Sequence, residues 1–147
     1  MTDFMASALK EAEEAGKRNE VPVGAVLVLD GEIIAKAGNC TRELNDVTAH
    51  AEILVIREAA KKLSNERLIG ADLYVTLEPC PMCAAAISFA RIRRLYYGAE
   101  DQKSGAVDNG VRLYGDKSCH HAPEVYSGIS ETQSSLLLKE FFKTRRD

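Results

Sequence analysis

Residues 71 to 99 read ADLYVTLEPCPMCAAAISFARIRRLYYGA: a strand-like apolar run (71 to 77), a short loop, an apolar helical run (83 to 92) and a second strand-like run (94 to 99). A strand, a helix and a strand of these lengths make a right-handed parallel crossover. That unit constrains the fold more than any other stretch, because the rest of the chain has to be added to a layered α/β frame.

The flanking segments supply the other elements. Residues 3 to 18 carry Phe4, Ala8, Leu9, Ala12 and Ala15 on one stripe at helical spacing, which predicts an amphipathic helix packed on a sheet. Residues 23 to 38, VGAVLVLDGEIIAKAG, give two strand-like runs about the turn dipeptide Asp30-Gly31, a hairpin signal. AHAEILVIREAAKKL (49 to 63) is read as a helix with Ile53, Ile56, Ala60 and Leu63 on one face and Thr48 as its cap. Residues 100 to 122 read as a long loop with a helical turn, and PEVYSG as a short fifth strand. Ser130 with Gln133 forms a capping box for a terminal helix running to about Arg146. The sum is an α/β domain, a three-layer α-β-α sandwich around a mixed five-stranded sheet, with residues 1 to 147 as one domain.

Composition narrows the function classes. With 46% apolar and 28% charged residues, the chain reads as globular and ordered. Its N-terminus lacks the apolar stretch of a signal peptide and no run reaches membrane-spanning length, so the expectation is a cytoplasmic protein with no membrane partner. A formal charge of -3 argues against a generally basic nucleic-acid binder but leaves room for a local basic patch. The four cysteines, at 40, 80, 83 and 119, are few for a structural disulfide framework, and in a reducing compartment a close pair is a metal or redox site.

Cys80 and Cys83 gain meaning from a second motif, His50-Ala51-Glu52. Both motifs open predicted helices, where partial positive charge and free N–H groups favour the thiolate that a metal needs. One imidazole and two thiolates make three ligands, and a tetrahedral zinc with three protein ligands keeps a fourth position for water. Glu52, two residues from His50, suits proton transfer to and from that water better than ligation. The redox reading leaves His50 and Glu52 without a role, and its Cys-x-x-Cys would sit earlier in the chain. The structural-zinc reading needs a fourth ligand, for which Cys119, His120 and His121 are candidates, and it too leaves Glu52 idle.

His-x-Glu followed by Pro-Cys-x-x-Cys is the signature of zinc nucleobase deaminases. With EVPVGAVLV, Gly38-Asn39, LNDVTAHAEI, RLIGADLYVTLEPC, MCAAAISFARIRRLYYGAED and KEFFKTRR, the chain resembles the cytidine deaminase superfamily, and within it the bacterial tRNA-specific adenosine deaminases, over almost its whole length. The resemblance implies a cytidine deaminase-like fold, a homodimer and conversion of the wobble adenosine of a tRNA anticodon to inosine. It implies zinc (Zn2+) held by His50, Cys80 and Cys83, Glu52 as proton shuttle, and the Ala51 backbone N–H holding the attacking hydroxide. Asn39 would bind the target nucleoside, Asp101 and Lys103 would lie along the RNA backbone and target ribose, and His120 and Phe142 would face the anticodon arm. Gln102, Ser104, Ala85 and the Cys119-His120-His121 run depart from the usual family residues without touching the zinc motifs.

Lys139, Lys143 and Arg146 lie on one face of the terminal helix, interleaved with Phe141 and Phe142, and Arg91, Arg93 and Arg94 form a second basic cluster suited to RNA or to a subunit interface. Two other readings stay open: a zinc deaminase of a free base or nucleoside such as guanine or cytosine, and a non-catalytic zinc-stabilised RNA-binding domain.

Overall fold

The computed structural model describes residues 3–145, so Arg146 of the expected basic stripe lies outside the described residues. Its elements are α1 (Phe4–Lys17), β1 (Gly24–Leu29), β2 (Glu32–Gly38), α2 (Ala51–Leu63), β3 (Asp72–Leu77), α3 (Pro81–Phe89), β4 (Arg94–Ala99), β5 (Glu124–Tyr126) and α4 (Glu131–Lys143), with one 3₁₀ turn at Leu113–Gly115. The sheet runs β2-β1-β3-β4-β5. β1 is antiparallel to β2 and β3, and β3, β4 and β5 are parallel, so the sheet is mixed as expected. The hairpin turns at Asp30 and Gly31 with φ of 52° and 77°, the paired positive values that match the twist of a two-residue loop.

Alternation along the strands sorts the helices into two layers. Ala25, Leu27, Leu73, Val75, Leu95 and Tyr97 share a buried cluster with Ala51, Val55 and Ala59 of α2 and Ala84 and Ile87 of α3. Their neighbours Val26 and Val28 pack on the other face against Met5 and Ala8, joined by Tyr74 and Tyr96. α4 lies beside α1 and over β4. The molecule is the three-layer sandwich expected from the sequence.

α1 comes very close to the sheet because the residues between them are small. A Cβ on Gly24 would lie 2.1 Å from the Ala8 carbonyl oxygen, and one on Gly38 2.6 Å from that of Glu11. Ala8, Ala12 and Ala15 are fully buried from the helix side.

Four local expectations need correction. The inward stripe of α2 is Ala51, Glu52, Val55 and Ala59, with Leu63 exposed: the small alanines let the helix sit close, which rotates the larger aliphatic residues to the flanks. Thr48 does not cap α2, because its hydroxyl donates to Asp46 Oδ1 at 2.6 Å and His50 takes the cap position. Ser130 has a left-handed backbone (φ 57°) and makes no side-chain cap bond, so the capping box does not form. α3 stops at Phe89, with Ala90 as its cap and Arg91 left-handed (φ 63°), before the expected end at 92.

The second basic cluster is mostly engaged within the fold. Arg93 forms a two-pronged pair with Asp72, at 3.0 and 2.9 Å, and Arg94 lies 3.5 Å from Glu124. No helix among the described residues is long and apolar enough to cross a membrane.

Candidate metal centre and active site

Two helix starts meet on one face of the sheet. His50 is the N-cap of α2 and its carbonyl accepts from Leu54 N at 3.0 Å; Cys80 is the N-cap of α3 and its carbonyl accepts from Ala84 N at 2.8 Å. Pro81 fits the first helical turn, where no N–H is needed, and it carries Cys83 round to the same side as Cys80. The result is His50 Nδ1 at 3.6 Å from Cys80 Sγ and 3.5 Å from Cys83 Sγ. All three donor atoms lie within 4.8 Å of one another.

That spacing fits a metal. Tetrahedral zinc with ordinary Zn–N and Zn–S bonds separates a nitrogen from a sulfur ligand by about 3.6 Å. The donor set, one imidazole and two sulfurs, is zinc-like. All four cysteines are free thiols, so Cys80 and Cys83 are not spent on a disulfide. Cys119, His120 and His121 do not join the three-residue cluster among the described residues. The Cys119 thiol donates to the His121 carbonyl at 3.1 Å, and His121 Nε2 contacts the Ile92 carbonyl at 2.8 Å. His120 is exposed and borders a surface cavity with Phe89 and Arg91. Among the described residues, the fourth protein ligand that a closed structural site requires is therefore not found.

The three donor side chains of the cluster compete for protons. A hydrogen bond from Cys83, with help from His50, outweighs burial and lowers Cys80 to about 4. The same bond, burial and the nearby Glu52 charge push Cys83 upward. The bond to Cys80 raises His50. Such a set holds protons that a divalent cation displaces on binding. Glu52 is 4% exposed, and burial raises its carboxyl to about 7. A carboxyl poised near neutrality is suited to give and take protons.

The other expected residues fall in different places. Asn39 is buried and its Oδ1 accepts from Ala51 N at 2.8 Å. That amide is thus committed to Asn39, and Asn39 Nδ2 has no partner among the described residues. Asp101 caps its own loop: Oδ1 accepts from Lys103 N at 3.2 Å and Ser104 N at 2.9 Å, while the Lys103 side chain is exposed. Phe142 is 53% exposed on α4, in the layer opposite the metal cluster, edge-on to Phe141.

Two buried carboxylates escaped the sequence reading. Glu20 accepts from Arg42 N at 3.1 Å and Glu43 N at 2.7 Å, and so fixes the loop that leads to His50. Glu78, 2% exposed, accepts from the backbone N–H groups of Asp101, Val107, Asp108 and Asn109 at 2.9–3.0 Å and from Asn109 Nδ2 at 2.7 Å. Burial works to raise Glu78, but these hydrogen bonds prevail and hold it below the usual carboxylate range. The only sequence signal for it is an acid that ends an apolar strand one residue before a proline.

Comparison with known proteins places this geometry. Residues 1–99 match the model of the cytidine and deoxycytidylate deaminase zinc-binding region, and they contain all three candidate ligands and Glu52. The chain is 68% identical over 145 residues to the tRNA-specific adenosine deaminase of Agrobacterium fabrum, covering 99% of this chain and 95% of that one. It is 52% identical over 145 residues to that of Rickettsia bellii, covering 97% of this chain and 100% of that one. A structure solved in a study of A-to-I editing by tRNA:A34 deaminases at the wobble position of transfer RNA superposes with a TM-score of 0.91 at 70% identity, over 92% of this chain and 98% of that one. On the strength of matches that run nearly end to end, this chain belongs to the cytidine and deoxycytidylate deaminase family, on the branch of the tRNA-specific adenosine deaminases.

Proposed function

We propose that the protein hydrolytically deaminates the wobble adenosine of a tRNA anticodon to inosine and releases ammonia. The observation that carries this reading is the His50, Cys80 and Cys83 cluster with the buried carboxyl of Glu52 beside it, in a chain whose full-length relatives are named for that reaction. His50, Cys80 and Cys83 would hold zinc, whose Lewis acidity lets water act as a nucleophile at neutral pH.

The chain's own groups do the rest. Glu52 accepts the proton that the attacking water gives up and passes it to N1 of adenine. As C6 becomes a carbonyl, Glu52 returns the second water proton to the leaving amine, which departs as ammonia. Asn39, fixed by the Ala51 N–H, offers its free Nδ2 to the target nucleoside. Burial keeps Glu52 out of bulk water, so its proton goes to substrate.

The wobble base stands unpaired in the anticodon loop, so bringing it into the site costs at most about a few kcal/mol. Lys103 and the exposed face of α4, with Lys139, Phe142 and Lys143, are the groups we assign to the RNA; His120 is assigned to the anticodon loop. Residues 1 to 147 act as a single domain in the cytoplasm, and the active form is a homodimer. Phe89, 76% exposed on α3 beside Ala85 and Arg91, supports pairing through that helix.

The deciding experiment compares inosine formation on an anticodon stem-loop with ammonia release from free adenosine, guanine and cytosine. Inosine in the stem-loop with little release from free bases is the expected result. Turnover of a free base with an untouched stem-loop would replace this reading with that of a free-base deaminase.

A further inference from the structure

The segment from Glu100 to Asn109 has no helix or strand beyond the end of β4, yet its backbone amides are engaged by Glu78, by the Pro79 carbonyl and by Asp101. It contributes only Gly105, Ala106 and Val107 to the interior, too little apolar surface to fix ten residues. What it does have is Glu78. Both carboxylate oxygens of this residue are occupied: Oε1 by Asp101 N and Asn109 Nδ2, and Oε2 by the amides of Val107, Asp108 and Asn109.

No lysine or arginine pairs with Glu78 among the described residues, so a buried negative charge is balanced by N–H groups of a single loop. Burying a charge is unfavourable unless such bonds are complete, and an apolar side chain in its place would leave the same N–H groups without an acceptor. What the carboxylate adds is directionality: five donors must converge on it, and few loop conformations allow that.

Two independent contacts point the same way. A Cβ on Gly105 would lie 2.5 Å from Glu78 Cδ, so the loop is cut to fit over the carboxylate. Ala106 N donates to the Pro79 carbonyl at 2.9 Å, which ties the loop to the residue between Glu78 and Cys80. The order is then passed on, since Asp101, held by Glu78, in turn holds Lys103 and Ser104 through its own Oδ1.

We infer that Glu78 is a positioning residue for substrate: from the strand end that delivers Cys80, its buried carboxylate sets the shape of the 100–109 loop and thereby the place of Lys103 against the RNA. The inference rests on the proposed function only in taking this loop as an RNA contact; the hold of Glu78 on the loop stands without it.

The test uses Glu78→Gln and Asn109→Ala in the full-length, zinc-loaded protein, with the anticodon stem-loop as substrate. Gln keeps the size but turns an N–H pair toward N–H donors. The amides of Asp101, Val107, Asp108 and Asn109 should exchange with solvent about tenfold faster or more, while those of β3 and β4 keep the parent's protection. KM for the stem-loop should rise about tenfold with kcat changed less than about threefold, and zinc per chain should be unchanged. Asn109→Ala should shift both readouts in the same direction and less, and it serves alone if Glu78→Gln does not fold.

Unchanged exchange in the loop would overturn the anchoring. Faster exchange with the parent's KM would overturn the substrate role, leaving Glu78 a structural plug. Loss of zinc or of kcat at constant KM would mean that Glu78 acts on Cys80. If the parent itself leaves the stem-loop untouched and turns over a free base, the proposed function and the RNA half of this inference fall together, and the exchange result still decides whether Glu78 holds the loop.

Discussion

Glu52 occupies a position on α2 that geometry alone would give to an apolar residue, since Ala51, Val55 and Ala59 share its buried stripe. A carboxyl kept there is available to exchange protons. Glu52→Gln preserves shape and removes the proton carrier, so kcat should fall about 10²-fold or more while bound zinc stays near one per chain by metal analysis. Cys83→Ala should do the reverse in sequence of cause: it removes a ligand, so zinc is lost first and activity with it. Activity in that variant at full zinc occupancy would remove Cys83 from the ligand set. These candidate residues were legible because ligation and proton transfer would demand particular side chains at particular spacings. Glu20 and Glu78 were not, because a glutamate in a sequence reads as surface charge until the N–H groups that converge on it are placed by the fold.

The elements themselves were read well where a periodic pattern ran long, and less well at their ends. The Asp30-Gly31 hairpin and the β3-α3-β4 crossover appear as their sequences imply, because turn chemistry and apolar run length act locally. Thr48 and Ser130 were credited with caps that they do not make, because a hydroxyl's partner depends on the loop around it; Asp46 captures that of Thr48. The closeness of α1 to the sheet was equally hidden. Nothing in VGAVLV says that Gly24 faces a helix backbone, yet a Cβ there would press on the Ala8 carbonyl and the Ala12 nitrogen. Both are main-chain atoms, which cannot step aside as a side chain would. Gly24→Ala should therefore destabilise the fold by about 2–3 kcal/mol, read as a lower denaturant midpoint at unchanged m-value, with zinc binding retained in the folded fraction. A variant as stable as the parent would show that α1 rides on the sheet more loosely than its packing suggests.

At the scale of the molecule the two helical layers are joined at one edge, and that edge bears on the proposed RNA binding. α4 and the metal cluster lie on opposite faces of the sheet, which the sequence had no means of revealing. The C-terminal end of α4 nonetheless reaches the loops around the site. Arg145 lies over the Phe141 ring at 4.1 Å and donates to Asn19 Oδ1 at 2.6 Å, and the Asn19 carbonyl accepts from Arg42 at 3.4 Å, in the loop that leads to His50. Under the proposed function, an RNA arm runs along the exposed Lys139 and Lys143 of a helix so tethered while one base of its loop enters the opposite face. Lys139 and Lys143 are exposed, one turn apart, and each that meets a phosphate releases a counterion. Replacing both by Ala should weaken stem-loop binding most at low salt and reduce the slope of log K against log salt by about 1.4–1.8, depending on whether the contacts fall on single-stranded or duplex RNA. Folding, zinc content and the value of kcat at saturating stem-loop should not change, because the two side chains stand on a solvated face away from the ligands. Equal affinity and equal slope for parent and double variant would take α4 out of the RNA interface and leave the 100–109 loop as the surface that has to account for binding.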